Sequence, residues 1–401
     1  MASVSPPSER VPEFLAFGEQ LVRAHALPIL SQGYAELVES LRADEQLGEI
    51  ARHGGIDAAL NHPTLGVLRK GKQEFATPAE LRAEGAMADR VLEAYRGHSV
   101  LGEELGAREQ TPSEDDQGIR WVFDPVDGTT SMLRTAVAQA YGIELPDPPP
   151  AFGVTIGVLE GDEAIAGVVA ELRPREVGEL EITRLWTGGS GTPATCNGEL
   201  VTARPAVPLA GATLASTVPE VMFRSEEEWR DFQALEEVAS GDCATGQNCI
   251  GFMELLGPNG RVDVVFERDL KAPDTAALVP ILTAAGVRVT DAQGAPPRFS
   301  PEELAPEYEY IVLAAHPDPH AEAVARIGFG PDGPSTFGQW KKVTGVDVAK
   351  TTRRTTAQAA ALPTGTSPTA SPPVSNKEVT HGHQRSHYQA GPAAGSGPDA
   401  L

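Results

Sequence analysis

The segment Asp124-Pro-Val-Asp-Gly-Thr129 places two carboxylates, a glycine and a hydroxyl within six positions, directly after the apolar run Ile119-Arg-Trp-Val-Phe123. That run reads as a buried strand, and a strand end delivers side chains to one edge of a sheet, where α/β sites form. Pro125 stiffens the turn. Gly128 lets an anion approach the backbone, and Thr129 can begin a helix whose unpaired N–H groups bind phosphate. Two further acidic positions flank this motif in the chain. Gly102-Glu103-Glu104 follows the apolar pair Val100-Leu101, and Asp274 opens an apolar stretch. Alone, the first reads as a solvated face and the second as a first-turn acid favoured by the helix dipole. Together, carboxylates converging without His or Cys suit a hard cation such as Mg²⁺. Paired ions of that kind support in-line phosphoryl transfer.

These residues carry a resemblance to the inositol monophosphatase superfamily of Mg²⁺-dependent phosphomonoesterases. The D-P-[IV]-D-G-T motif stands as Asp124 to Thr129, the G-E-E motif as Gly102 to Glu104, and the downstream acid with its small residues as Asp274-Thr-Ala-Ala277, continuing to Thr290-Asp291. Order and spacing agree from Phe14 to Phe329. The resemblance implies Glu103, Asp124, Asp127, Asp274 and the carbonyl of Val126 as ligands of two or three Mg²⁺ ions. It implies backbone N–H groups of Gly128 and Thr129 on the phosphate, and the Thr129 hydroxyl orienting a metal-activated water. It further implies a layered α-β-α-β-α sandwich of the fructose bisphosphatase type (an α/β, or α+β, fold) and a homodimer.

Within the superfamily, Glu267-Arg-Asp-Leu-Lys271-Ala-Pro-Asp274 and Gly246-Gln-Asn-Cys249 with Gly260-Arg-Val-Asp263 resemble the histidinol-phosphatase branch. Glu267, Gln247 and Asn248 are then the substrate-facing candidates, although a solvated strand-end acid and a turn are the plain alternatives. A carboxylate at Glu267 suits a sugar hydroxyl or a cationic amine equally. Inositol-1-phosphate, or another sugar or nucleotide phosphate, is therefore the alternative to histidinol phosphate. Three departures stand out: Glu80 replaces the family Asp that partners the water-orienting Thr, Pro273 replaces an aromatic residue, and Leu133 to Pro150 looks like an insertion. The first and last motivate an alternative of another class, a non-catalytic ligand- or partner-binding member of the fold. The four acids argue against it.

The elements that must position these groups are legible in part. Phe14 to Arg42 predicts a helix interrupted near Pro28. Pro78 to Tyr95 predicts a second helix, with Thr77 and Glu80 at capping-box spacing. Gly153 to Leu159 and Glu163 to Val169 predict a hairpin around Gly161-Asp162. Val262 to Phe266 and Tyr310 to Ala315 predict strands. Asp274 to Ala285 predicts a helix kinked at Pro280. The expected organisation is a flexible start (residues 1–12), an N-terminal subdomain (13–208) with the metal site, a C-terminal subdomain (209–345) completing it, and a disordered tail (351–401).

Composition bounds the partners. The 401 residues hold 32 Lys+Arg against 56 Asp+Glu, a net charge of −24. The tail is slightly basic, so the acidity belongs to the rest of the chain. Nucleic acid is not expected as a partner, because phosphate neutralisation needs clustered Lys and Arg. An anionic membrane surface is not expected either, and no apolar run reaches the roughly 18 residues of a spanning helix. The three cysteines, Cys196, Cys243 and Cys249, form no CxxC pair and suit a reducing cytoplasm. The expected substrate is a small phosphorylated metabolite.

Overall fold

The computed structural model describes residues 7–65, 67–69, 75–110, 118–146, 149–175, 179–239 and 248–327. Gln247, Cys243 and the segment 351–401, expected to be disordered, lie outside them.

Eight strands form the larger sheet: β1 (Ser99–Gly102), β2 (Gly106–Arg108), β3 (Ile119–Asp127), β4 (Phe152–Glu160), β5 (Glu163–Pro174), β6 (Leu180–Gly189), β7 (Thr192–Cys196) and β8 (Glu199–Leu200). Their order is β8-β7-β6-β5-β4-β3-β1-β2, and β1 alone runs parallel to its neighbour β3. The predicted hairpin is β4–β5. A smaller sheet holds β9 (Leu214–Ala215), β10 (Val264–Leu270), β11 (Arg288–Thr290) and β12 (Tyr310–Ala315), in the order β9-β10-β12-β11.

Strand alternation divides the apolar residues into three cores. Trp121 and Phe123 of β3 face helices α1 (Val11–Leu21), α2 (Leu27–Ala43), α3 (Pro78–Ala94) and α4 (Thr129–Tyr141). Val122, between them, faces the opposite side. It shares a core with α5 (Asn248–Met253), α6 (Ala272–Thr275), α7 (Leu278–Ala284) and the inner residues Val265 and Val312 of the smaller sheet. Val264, Phe266 and Leu313 point outward onto the helices Glu226–Glu236 and Pro317–Arg326. The result is the expected α-β-α-β-α sandwich.

Several local expectations are corrected. The chain is helical well before residue 13: Pro7–Arg10 form a 3-10 turn and Val11 is buried without exposure. The break near Pro28 is a π-helical stretch, Val22–Ala26, just ahead of the proline that opens α2. A proline ring and its missing N–H widen the turn before it. The helix expected over Asp274 to Ala285 is two helices parted at Ala276-Ala277, because Pro280 has no N–H for the carbonyl of Ala276. The strand expected at Val262 begins at Val264. Leu133 to Tyr141 is not an inserted loop but the body of α4, with Leu133, Ala136 and Val137 in the core. Beyond it, the carbonyls of Pro149 and Pro150 accept from Arg173 at 2.9 and 3.4 Å. Among the described residues no helix is long and apolar enough to cross a membrane.

The α6–α7 pair lies close on the larger sheet. A Cβ at Gly167 would fall 2.1 Å from the carbonyl oxygen of Ala277, and one at Gly157 would fall 2.6 Å from the Ala276 Cβ. The buried Thr155 hydroxyl donates to the Pro273 carbonyl at 2.9 Å. This contact holds Asp274 against the end of β3. Gly167→Ala should therefore lower the free energy of unfolding by about 1–3 kcal/mol, as overpacking does. Urea denaturation reads this directly, and an unchanged midpoint would contradict the close approach.

Candidate active site

The site is built on an irregularity in β3. Pairing with β4 runs in register from Ile119↔Glu160 to Asp124↔Thr155, then resumes one residue out of step at Asp127↔Gly153. The extra residue is a bulge, which bends a strand and re-aims its side chains. Pro125 has no ladder donor to lose there, and the Val126 N–H is taken by Asp124 Oδ1 at 2.9 Å. Gly128 follows at φ 86°, ψ 38°, a left-handed conformation that favours glycine, and caps the start of α4. The first N–H groups of α4 have no carbonyl within the helix to accept them, which makes this end an anion site.

Thr129, the first residue of α4, has its hydroxyl 3.1 Å from Glu80 Oε2 and 3.1 Å from the Val126 carbonyl. Glu80 is buried at 1 % exposure. It closes the predicted capping box: its Oε1 accepts from the Thr77 hydroxyl at 2.9 Å and the Thr77 N–H at 3.2 Å. The extra methylene relative to aspartate thus lets one carboxylate cap α3 with one oxygen and reach Thr129 with the other. Burial, reinforced by the charges of Glu104 and Glu103, pushes Glu80 up to about 8 against its bonds to Thr77 and Thr129.

Four carboxylates converge beside this pair. Asp124 and Asp127 come from β3, Asp274 from the short helix α6, and Glu103 from the turn after β1. Asp127 Oδ2 accepts from the Cys249 N–H at 2.9 Å, and Asp274 Oδ2 from the Lys271 N–H at 2.6 Å. Ligand atoms of Asp127, Asp274 and Cys249 all lie within 4.8 Å of one another. Burial first, then the charges of Glu103, Asp127 and Asp274, push Asp124 well above the usual carboxylate range. Burial and the Glu103 charge act likewise on Asp274. Asp127 rises to about 7, chiefly by burial, with its bonds from Cys249 opposing. An all-oxygen carboxylate set that destabilises its own charge fits a hard divalent cation.

The sequence-predicted residues Glu80, Glu103, Asp124, Val126, Asp127, Gly128, Thr129 and Asp274 therefore fall in one place. Glu267 lies on β10 and is buried, but its partners are Ser216 and Thr217. It accepts from the Thr217 N–H at 2.8 Å, the Thr217 hydroxyl at 2.9 Å and the Ser216 hydroxyl at 3.4 Å. Burial pushes it up to about 7. Asn248 opens α5. Sequence reasoning missed Ser216, Thr217 and Glu84. Cys249 is buried and lines the carboxylate centre, its thiol donating to the Asp274 carbonyl at 3.2 Å.

The fold and this carboxylate centre suit a phosphatase. A sequence profile of the inositol monophosphatase family matches residues 17–328, and the chain belongs to that family; it is a phosphatase. It is similar to the bifunctional phosphatase IMPL2, chloroplastic, of Arabidopsis thaliana, at 29 % identity over 265 residues, 65 % of this chain and 67 % of that one. It is also similar to the Nus factor SuhB of Escherichia coli (strain K12), at 28 % identity over 252 residues, 61 % of this chain and 83 % of that one. Among solved structures, an inositol monophosphatase from Zymomonas mobilis shares the fold with a TM-score of 0.50 at 22 % identity, covering 78 % of this chain and 98 % of that one.

A carboxyl whose folded value is raised stabilises the fold below its unfolded value, and that contribution is lost as pH rises through the folded value. Glu80, Glu84, Asp127 and Glu267 are raised to about 8, 7, 7 and 7. The urea midpoint of protein freed of divalent cations should thus fall as pH is raised from 5 to 8, and saturating Mg²⁺ should offset part of the fall. Glu267→Gln should flatten the part Mg²⁺ leaves. A midpoint rising over this range in the chelated protein would contradict the assignment.

Proposed function

We propose that this chain hydrolyses a small phosphate monoester at the Asp124–Thr129 turn. Mg²⁺, two or three ions in all, would be held by Glu103, Asp124, Asp127, Asp274 and the Val126 carbonyl. The observation that carries this reading is the Thr129 hydroxyl, shared between Glu80 and Val126 beside the carboxylate centre and at the open end of α4. When bound, Mg²⁺ neutralises the centre and stabilises negative charge developing on the leaving oxygen.

The chain's own groups divide the remaining work. The N–H groups of Gly128 and Thr129 take phosphate oxygens at the helix end. The Thr129 hydroxyl donates a hydrogen bond to Glu80, which leaves its lone pairs to accept a hydrogen bond from the attacking water and so to aim that water at phosphorus. The two hydrogen bonds from Thr77 hold Glu80 still while it does so. No covalent phosphoenzyme is involved, so no nucleophilic Ser or Cys is required.

Histidinol phosphate is the substrate favoured by the Glu267–Asp274 segment, with Glu267 taking the leaving group's amine or hydroxyl. Inositol-1-phosphate, or another sugar or nucleotide phosphate, is the second reading, favoured by the three hydroxyl and N–H donors that already hold Glu267 as an acceptor. The enzyme would act in the cytoplasm as a homodimer, without nucleic acid or membrane; the charge of −24 supports the last point.

Phosphate release should be measured over p-nitrophenyl phosphate, histidinol phosphate, inositol-1-phosphate, fructose bisphosphate and nucleotide 3′-phosphates, with and without Mg²⁺. Mg²⁺-dependent turnover is expected, with histidinol phosphate preferred. Asp127→Asn should lose more than about 100-fold while staying folded, since removing a ligand exceeds the cost of removing an outer partner. Folded protein that turns over none of these esters would favour a non-catalytic member of the fold. Undiminished turnover by Asp127→Asn would remove the mechanism.

A further inference from the structure

Glu84 stands one helical turn after Glu80 on α3 and is buried at 1 % exposure. Among the described residues it makes no ion pair with Lys or Arg. Instead its two oxygens are aimed at consecutive backbone donors in the turn after β1. Oε2 accepts from the Glu104 N–H at 2.8 Å and Oε1 from the Leu105 N–H at 2.7 Å. The preceding N–H, of Glu103, donates to the Phe123 carbonyl at 3.0 Å. Three successive N–H groups, of residues 103 to 105, are therefore tied down, two of them by Glu84.

The carboxylate also lies over residue 102. A Cβ there would fall 1.8 Å from Glu84 Oε1 and 2.0 Å from its carboxyl carbon. Only glycine admits Glu84, so Gly102 and Glu84 form one lock. What the lock holds is the backbone of Glu103, whose exposed side chain acts on Asp124 in the carboxylate centre. A buried carboxylate without a cation is a costly way to stabilise a surface turn. It is an effective way to aim a ligand, because the direction of a Cα–Cβ bond follows from the backbone that carries it.

We propose that Glu84 is a positioning residue that sets the affinity of the carboxylate centre for its divalent cation by fixing the turn that presents Glu103. The proposal rests on the reading of Glu103 as a ligand. Glu84 does not touch the cation or the substrate. Replacing it by glutamine keeps the shape but turns one acceptor into an amide NH2 donor that opposes a backbone N–H, which frees the turn.

The test is cation binding. Mn²⁺ bound by the metal-depleted protein is counted by electron paramagnetic resonance for wild type and Glu84→Gln, with phosphate release measured across a Mg²⁺ series. Glu84→Gln should raise the Kd for Mn²⁺ by about 10-fold or more, shift the Mg²⁺ dependence equally, and leave kcat at saturating Mg²⁺ within about 3-fold of wild type. A residue that merely supports the fold would lower the melting temperature and leave the Kd unmoved, and that outcome overturns the proposal. Should Glu84→Gln fail to fold, Glu84→Asp carries the same test, since it keeps the charge and shortens the reach by one methylene. Wild type that binds no Mn²⁺ would overturn the metal reading itself, whereas wild-type affinity in the variant overturns only the role of Glu84.

Discussion

The structure turns on a repulsion. Asp124, Asp127, Asp274 and Glu103 are brought together at the end of one strand, with Glu80 and Glu84 beside them. Burial raises the cost of charge on most of these groups, and each one's charge raises it for its neighbours. The nearest basic side chain in sequence, Lys271, turns instead to Glu309 at 3.7 Å. A centre of this kind is stable in two ways only, with protons or with cations, and a divalent cation serves several carboxylates at once.

Each layer of the sandwich contributes to holding the acids against that repulsion. The bulge at Pro125-Val126 points Asp124 and Asp127 to the same place from one strand. The parallel neighbour β1 ends level with it and delivers Glu103. The middle helical layer delivers Asp274, and small residues at Gly157, Gly167, Ala276 and Ala277 let that layer lie close enough. Helix α3 supplies Glu80 and Glu84 one turn apart, the first toward Thr129 and the second toward the turn carrying Glu103. Backbone N–H groups of Cys249 and Lys271 compensate part of the charge without adding a competing cation.

What was legible in the sequence is what is local in it. Strand, acid pair, glycine and helix start occupy eleven consecutive residues from Ile119 to Thr129, and their physical roles follow from their order. Ser216 and Thr217 meet Glu267 across about fifty residues, and Cys249 meets Asp127 across 122; no periodicity reports such contacts. Glu84 was within reach, because positions four apart share a helix face, and Glu80 was already placed. From Leu133 to Tyr141 the helix was legible too, since Met132, Leu133, Ala136 and Val137 carry the 3.6-residue period of a buried helix. Pro280 was expected to bend one helix and instead ends it early, since a lost hydrogen bond near a helix start leaves too few to continue it.

Protons and divalent cations compete for the same carboxylates. Calorimetric titration of Mg²⁺ into the metal-depleted protein at pH 7, repeated in buffers of different ionisation enthalpy, counts the protons exchanged on binding. Net proton release is expected, because burial and mutual repulsion favour the protonated forms of Asp124, Asp127 and Asp274 and a bound cation opposes them. Binding with the same heat in every buffer, and hence no proton release, would contradict it.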